Sequence, residues 1–334
     1  MKKLINNPDL VVEEMMEGMA QAYPQYVRKL QDCNVLVRAD APISGKVALV
    51  SGGGSGHEPA HGGYVGKGML DGAVAGAVFT SPTPDAIYEA IKAVDGGAGV
   101  LLVVKNYTGD VMNFDMAKEM AGMDGIKVDS VLVNDDVAVE DSTYTTGRRG
   151  IAGTVLVHKI AGAAADKGMS LEEVKRVGEK VIANVRSMGI ALTPCTVPAA
   201  GKPSFTLAED EIEIGIGIHG EPGTHREAMK TADEVTDELL GRILGDLPYS
   251  SGDEVAVMVN GMGGTPQMEL AVINRHVASV LRDKGISVYR TFLGEYMTSL
   301  EMQGASVTLL KLDDELKELL DARSDTIAFK SLGR

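Results

Sequence analysis

His57, Lys105, Asp110 and His219 are the residues of this 334-residue chain whose types and surroundings could carry chemistry. His57 closes the run Gly52-Gly53-Gly54-Ser55-Gly56 and is followed by Glu58-Pro59. Adjacent glycines let backbone N–H groups approach a ligand closely. Pro59 suits the first turn of a helix, which would set the loop at a helix N-terminus, where negative charge is favoured. A tight turn with no ligand is the plain alternative. A titratable imidazole at the mouth of the loop argues against it, because it is poised for acid–base work. A nucleoside-triphosphate loop would end in Gly-Lys-Ser/Thr, and a dinucleotide fingerprint would place glycine where Pro59 stands. Neither fits.

Two more loops follow apolar runs in the same way. In Thr80-Ser81-Pro82-Thr83-Pro84-Asp85, Thr83 and Pro84 read as N-cap and first residue of a helix, which leaves Ser81 free. In Lys105-Asn106-Tyr107-Thr108-Gly109-Asp110, the lysine sits where the apolar run ends and the aspartate opens a helix. Lys105 could hydrogen-bond a ligand oxygen, and Asp110 could take a proton from a hydroxyl. A salt bridge or a helix cap would explain them equally well if each stood alone. All three loops leave the carboxyl ends of expected parallel strands, the edge where open α/β sheets bind ligands.

His219 closes the alternating run within the segment Ile212 to Gly223, in which Ile212, Ile214, Ile216 and Ile218 alternate with Glu213, Gly215, Gly217 and His219. Alternation of period two predicts a strand with the isoleucines facing one core. The histidine then stands at the end of a glycine-lined face with open space beside it. A surface histidine at a strand end is the bland alternative. The acidic stretch Asp135-Asp136 to Glu140-Asp141 could hold magnesium, but a solvated loop paired with Arg148 and Arg149 is the simpler reading, and no metal is assigned. Thr265, in Asn260 to Pro266, is expected to cap a helix. His61, His158, His225 and His276 have no convincing neighbours in the sequence.

The elements that must position these residues alternate. A helix is expected from Asn7-Pro8-Asp9 to about residue 31, with Val11, Met15, Met16 and Met19 on one face. Strands are expected over 46–51, 71–79, 98–104 and 127–133, separated by helices over 58–68, 83–94 and 109–123. Short apolar strands between helices imply a parallel sheet covered on both faces. Helices over 150–167 and 171–188 follow, the second opened by a Ser170–Glu173 capping box. Three prolines within 185–205 read as a crossing linker. Beyond it, strands over 211–218, 253–259, 286–292 and 305–311 alternate with helices over 225–244, 266–284 and 313–322. The reading is α/β in two domains: residues 1–185, mainly a parallel sheet covered by helices, and a smaller α/β domain over 186–334.

Composition agrees with this. Aromatic residues make up 4% and glycines number 40, so the core must come from aliphatic residues with many tight turns between elements. The net charge of -15 would repel a phosphate backbone, which argues against nucleic acid as a partner. Cys33 and Cys195 lack metal-like spacing and read as reduced, which fits the cytoplasm. No signal core or membrane-length apolar run is seen, so no membrane partner is expected.

In this order and at these spacings, GGGSGHEP, FTSPTPD, KNYTGD, DDVAV, GRRG, PAAGKPSFTL and GIHGEPG resemble the dihydroxyacetone kinases. The likeness is specifically to the dihydroxyacetone-binding subunit of the phosphoenolpyruvate-dependent bacterial enzyme, and it spans essentially the whole chain. It implies that His219 attacks the ketone carbonyl through a ring nitrogen to form a hemiaminal. It implies acid–base roles for His57 and Asp110, and substrate contacts from Gly54, Ser55, Gly56, Ser81 and Lys105. It also implies a homodimer, no cofactor on this chain, and ADP or ATP with magnesium on a separate kinase subunit. A phosphoryl relay protein would act on that subunit indirectly. The resemblance leaves one rival, a non-catalytic sensor of dihydroxyacetone that assists a transcription regulator; the strand–glycine loop–helix units motivate a second, a dinucleotide oxidoreductase, which the missing third glycine argues against.

Overall fold

The valine-rich runs of the first half become strands of one sheet in the computed structural model of the protein, which describes residues 2–141 and 145–333. Helix α1 (Val11–Ala22) leads into β1 (Val27–Lys29) and β2 (Val35–Arg38). Strand β3 (Ala48–Ser55), the two-residue β4 (Gly66–Lys67) and β5 (Gly72–Val78) follow, then α2 (Pro84–Val94), β6 (Val100–Lys105), α3 (Thr108–Met123) and β7 (Val128–Val133). The sheet order is β1-β2-β5-β3-β6-β7. Strands β5, β3, β6 and β7 are parallel, and β1 and β2 add antiparallel at one edge.

Helices α4 (Thr154–Asp166) and α5 (Leu171–Asn184) lead to a second sheet. Its strands are β8 (Val185–Ala191), β9 (Glu211–Ile214), β10 (His225–Ala228), β11 (Glu254–Gly261), β12 (Ser287–Gly294) and β13 (Gly304–Leu312). Helix α6 (Ala232–Asp246) precedes β11, and α7 (Gln267–Asp283) joins β11 to β12. The order is β10-β9-β8-β13-β11-β12, antiparallel except for the β11–β12 pair. After α8 (Asp314–Asp321) the chain returns to the first half, where β14 (Ser324–Thr326) pairs with β4 and with β15 (Lys330–Ser331).

The α/β reading holds, with two six-stranded sheets. Helices α2 and α3 cover one face of the first sheet through Ile87, Ile91, Phe114 and Ala117. Helix α4 is buried from Thr154 to Ala165. It shares a core with Leu101 and Val103 of the first sheet and with Met258 and Leu310 of the second. An amphipathic stripe would not serve a helix with neighbours all round, and its sequence is mostly apolar or small, with His158 and Lys159 as its buried polar exceptions. Helices α6 and α7 close the other face of the second sheet through Leu239, Ile243, Leu270 and Val277.

Several sequence expectations are corrected. The first helix ends at Ala22, not near residue 31, because Pro24 cannot continue it; β1 and β2 occupy the stretch beyond. No α-helix forms over 58–68, where Gly62, Gly63, Gly66 and Gly68 penalise one, and only a three-residue 3-10 turn (Gly62–Tyr64) appears. Pro59 therefore opens no helix. The helix from Leu171 stops at Asn184, so the stretch expected to begin a linker is instead β8, inside the second sheet. His225–Ala228 is edge strand rather than helix, and α6 starts where Thr231 and Glu234 form a capping box. The isoleucine ladder breaks at Gly215, whose φ of 77° ends the strand. Ile212 and Ile214 enter the core beneath α6, whereas Ile216 and Ile218 enter two others.

Candidate active site

The glycine run is the carboxyl end of β3 itself, buried from Ala48 to Ser55. A Cβ on Gly54 would lie 2.6 Å from the Thr80 nitrogen and 2.7 Å from the Phe79 carbonyl carbon, so only glycine lets β3 pack against the turn after β5. A Cβ on Gly53 would lie 2.9 Å from Lys105 Nζ. Phe79 adopts a left-handed φ of 59°, a conformation that costs a side-chain-bearing residue roughly 1–2 kcal/mol. That turn stacks its ring on His57 with centroids 5.2 Å apart.

His57 is fully buried. Its Nδ1 lies 2.8 Å from the Thr298 carbonyl. A carbonyl only accepts, so Nδ1 carries the proton and Nε2 presents its lone pair. Burial, followed by the nearby Lys105 and His219 charges, holds this imidazole well below its ordinary range, so it is neutral. Thr298 belongs to the β12–β13 connection, which lies along the glycine loop. The Thr298 N–H donates to the His57 carbonyl at 3.2 Å, and Leu300 N–H to that of Gly56 at 2.8 Å. The second half of the chain thus sets the tautomer of a histidine in the first.

His219 comes from the loop after β9. Its Nδ1 is 2.8 Å from Glu221 Oε1, and its backbone N–H donates to Glu221 Oε2 at 2.9 Å. A carboxylate holding both contacts fixes the proton on Nδ1 and leaves the Nε2 lone pair free. Burial alone would raise the Glu221 carboxyl. The His219 charge and hydrogen bond, with the Arg149 guanidinium, outweigh it and lower the carboxyl to about 2. The His219 ring is boxed edge-on by Tyr107 at 4.6 Å, His57 at 4.8 Å and Phe79 at 5.3 Å.

Lys105 and Asp110 are buried at the ends of β6 and the start of α3. Burial raises the Asp110 carboxyl, against the pull of Lys105 and a Ser81 hydroxyl that donates to it. Burial likewise lowers Lys105, against the Asp110 charge. His57 Nε2, Lys105 Nζ, Tyr107 Oη and Asp110 Oδ1 are all buried without a hydrogen-bond partner among the described residues. Such groups are rare in folded proteins, and their convergence marks a place built for polar ligand atoms.

The cleft over this cluster has a volume of about 460 Å³. Of the residues singled out in the sequence, Gly54, Ser81, Asp110 and His219 line it; His57 does not line it but packs against its Phe79 and His219 rings, and Lys105 Nζ lies 5.5 Å from the centre of its Tyr107 ring. Ser55 is not brought there: its hydroxyl donates to the Gly76 carbonyl. Gly56 borders a separate hollow beside Leu300, its N–H donating to the Glu58 carboxylate. Phe79, Tyr107, Thr298, Arg149 and Glu221 were not singled out. An acid two residues after His219 was the one local signal available; Thr298 gave none.

The remaining candidates take structural places. Thr83 caps α2 as expected. Thr265 does not cap α7; its hydroxyl bonds the backbone of Gly304 and pins the start of β13. The acidic stretch is no solvated loop at its start. Asp135 accepts from the Ile151 and Gly153 amides, and Asp136 forms a buried ion pair with Arg149 at 2.7 Å. Arg148 pairs instead with Asp246. His61 and His158, without evident partners in the sequence, meet each other at 2.9 Å in the core. His225 gathers Glu227 and Glu238, and His276 bonds Asp237. No helix among the described residues is long and apolar enough to cross a membrane.

Residues 17–328 match the family model described as the Dak1 domain. This chain belongs to the Dak1 domain family. Among curated members, the dihydroxyacetone-binding subunit of a PTS-dependent dihydroxyacetone kinase of Listeria innocua is 58% identical over 330 residues, covering 98% of this chain and 100% of the relative. The corresponding subunit of the PEP-dependent kinase of Escherichia coli is 48% identical, covering 98% and 99%. Two solved structures superpose closely. The dihydroxyacetone kinase of C. freundii matches with a TM-score of 0.89 at 37% identity, over 99% of this chain and 60% of that one. A dihydroxyacetone kinase operon co-activator matches with a TM-score of 0.90 at 36% identity, over 96% and 98%.

Proposed function

We propose that this Dak1 chain is the substrate-binding subunit of a dihydroxyacetone kinase and holds dihydroxyacetone covalently on His219. The observation that carries this reading is the Glu221 carboxylate on His219 Nδ1, which reserves the Nε2 lone pair for an electrophile beside the cleft. A neutral imidazole is a competent nucleophile toward an unhindered carbonyl. As the C–N bond forms, the carbonyl π pair moves onto oxygen, which takes a proton from the Lys105 ammonium. The positive charge passes to the alkylated ring beside Glu221. Glycerol, lacking a carbonyl, is not captured.

Capture fixes the position of a terminal hydroxyl and lowers the entropic part of the barrier to its reaction. Asp110 takes that hydroxyl's proton as the oxygen attacks phosphorus. His57, protonated on Nδ1, acts at Nε2 as an acceptor for a substrate hydroxyl. Gly54 and Ser81 shape and line the cleft where the substrate sits. The phosphoryl donor is a nucleotide with magnesium on a separate kinase subunit, recharged by a phosphoenolpyruvate-fed relay in the cytoplasm. Relatives named for PTS- and PEP-dependent kinases over their full lengths support this arrangement. The homodimer expected from the family is checked by light scattering.

Intact-protein mass spectrometry after addition of dihydroxyacetone tests the reading. A hemiaminal keeps the whole substrate mass, a lysine imine loses water, and His219→Ala abolishes the adduct. The likeness to an operon co-activator motivates a second reading, a sensor without catalysis. Mixing the protein with a nucleotide-loaded kinase subunit and dihydroxyacetone separates the two. Dihydroxyacetone phosphate supports the enzyme, and its absence with a competent partner supports the sensor.

A further inference from the structure

We infer that Arg149 is a positioning residue for His219, acting through Glu221, so that the buried guanidinium decides which imidazole nitrogen is nucleophilic. This deepens the hemiaminal reading and rests on it for its catalytic consequence. Arg149 is fully buried, the largest side chain so enclosed. Its Nε and Nη2 hold Asp136 at 2.8 and 2.7 Å, and Nη2 donates to the Gly215 carbonyl at 2.7 Å. Nη1 reaches the Pro222 carbonyl at 3.4 Å. The fork therefore grips both ends of the loop that carries His219 and Glu221.

The same guanidinium faces Glu221 directly across Gly217. A Cβ on Gly217 would lie 2.0 Å from Glu221 Oε2 and 2.7 Å from Arg149 Nη1, so both groups crowd the one position that has no side chain. Glu221 is itself faced by His219, Arg149, Tyr107 and Lys105, and Asp136 shares Arg149 with it. His219 and the Arg149 cation together hold this buried carboxyl charged, and removing the cation takes part of that support away. A protonated Glu221 no longer demands Nδ1–H of His219, and the proton can then occupy Nε2 and block the nucleophile.

The test uses the full chain and two readouts. Long-range nitrogen–proton spectra of histidine-labelled protein, without substrate, report which His219 nitrogen is protonated. The rate of adduct formation with dihydroxyacetone, followed by intact mass from pH 5 to 9, reports the consequence. Wild type is expected to hold Nδ1–H throughout, with no Glu221 step in its rate profile. Arg149→Met is expected to lose Nδ1–H at neutral pH and to form adduct more than tenfold more slowly. Its rate should recover as pH rises through the freed Glu221 carboxyl. Arg149→Lys, which keeps a charge on a shorter reach, is expected to fold and show the same step with a smaller loss, and so decides the matter if Arg149→Met does not fold.

A folded Arg149 variant with the wild-type tautomer and an unshifted rate profile overturns the inference, as does a uniform loss at every pH. If wild type forms no adduct at all, the hemiaminal reading fails, while the tautomer spectra still decide the role of Arg149.

Discussion

His57 and His219 lie with ring centroids 4.8 Å apart and planes at 65°, one from the end of the first sheet and the other from a loop of the second. Each has its Nδ1 proton committed to an oxygen, the Thr298 carbonyl for His57 and the Glu221 carboxylate for His219. The two partners differ in charge, and in the proposed mechanism that difference separates an acceptor from a nucleophile. His57→Gln is expected to leave the dihydroxyacetone adduct in place but lower phosphoryl transfer by ~10²–10⁴-fold, the usual worth of a positioned acid–base group. Intact mass and a coupled product assay, run on the same sample, check the split.

In the proposed mechanism Asp110 supplies the pH dependence. Burial raises its carboxyl above the ordinary aspartate range, with Lys105 and Ser81 pulling the other way. As the proposed base it acts in its charged form, so activity is expected to climb as pH rises through the raised value. The acid limb of kcat should therefore sit above the pH of about 4 usual for an aspartate. Asp110→Asn is expected to remove that limb and lower kcat by ~10²–10⁴-fold, measured with saturating partner subunit.

Gly54→Ala tests the close approach of β3 to the Phe79 turn. The new methyl would meet backbone atoms at 2.6–2.7 Å, which cannot swing aside as a side chain could. Overpacking of this kind costs about 1–3 kcal/mol. Displacing Phe79 should also weaken the ring contacts around both histidines. Urea denaturation and adduct occupancy should fall together.

Lys159 gives a prediction about stability alone. Its ammonium donates to the Leu319 and Ala322 carbonyls at 3.0 and 2.8 Å, near the end of α8. Burial, with Arg290 repulsion, lowers its pKa to about 8 from an unperturbed 10.5. Between those values the unfolded chain binds more protons than the folded one, so stability gains from rising pH. Wild type should thus stabilise relative to Lys159→Met from pH 8 towards 10.5, as measured by urea midpoints.

Much of the fold was legible because its signals are local. Valine runs, the Thr83 and Ser170 caps and the position of α8 all fall where periodicity and capping chemistry place them. The helix expected after Pro59 failed because four glycines outweigh one favourable proline. The isoleucine ladder misled because alternation says nothing about a glycine turning the chain partway, as Gly215 does. At the site, His57, Lys105, Asp110 and His219 stood out by type and setting. Thr298 could not, since a backbone carbonyl leaves no mark on residue identity. Arg149 suggested a partner for the acidic stretch, and its approach to Glu221 depends on Gly217 having no side chain.

The contact of Thr298 and Leu300 with the glycine loop has a consequence for synthesis. Strand β3 and its glycines leave the ribosome early, yet the carbonyl that orients His57 is translated only after most of the polypeptide exists. The nascent N-terminal portion therefore carries an unoriented imidazole and no His219. The cluster is complete only once the β12–β13 connection has docked on the glycine loop.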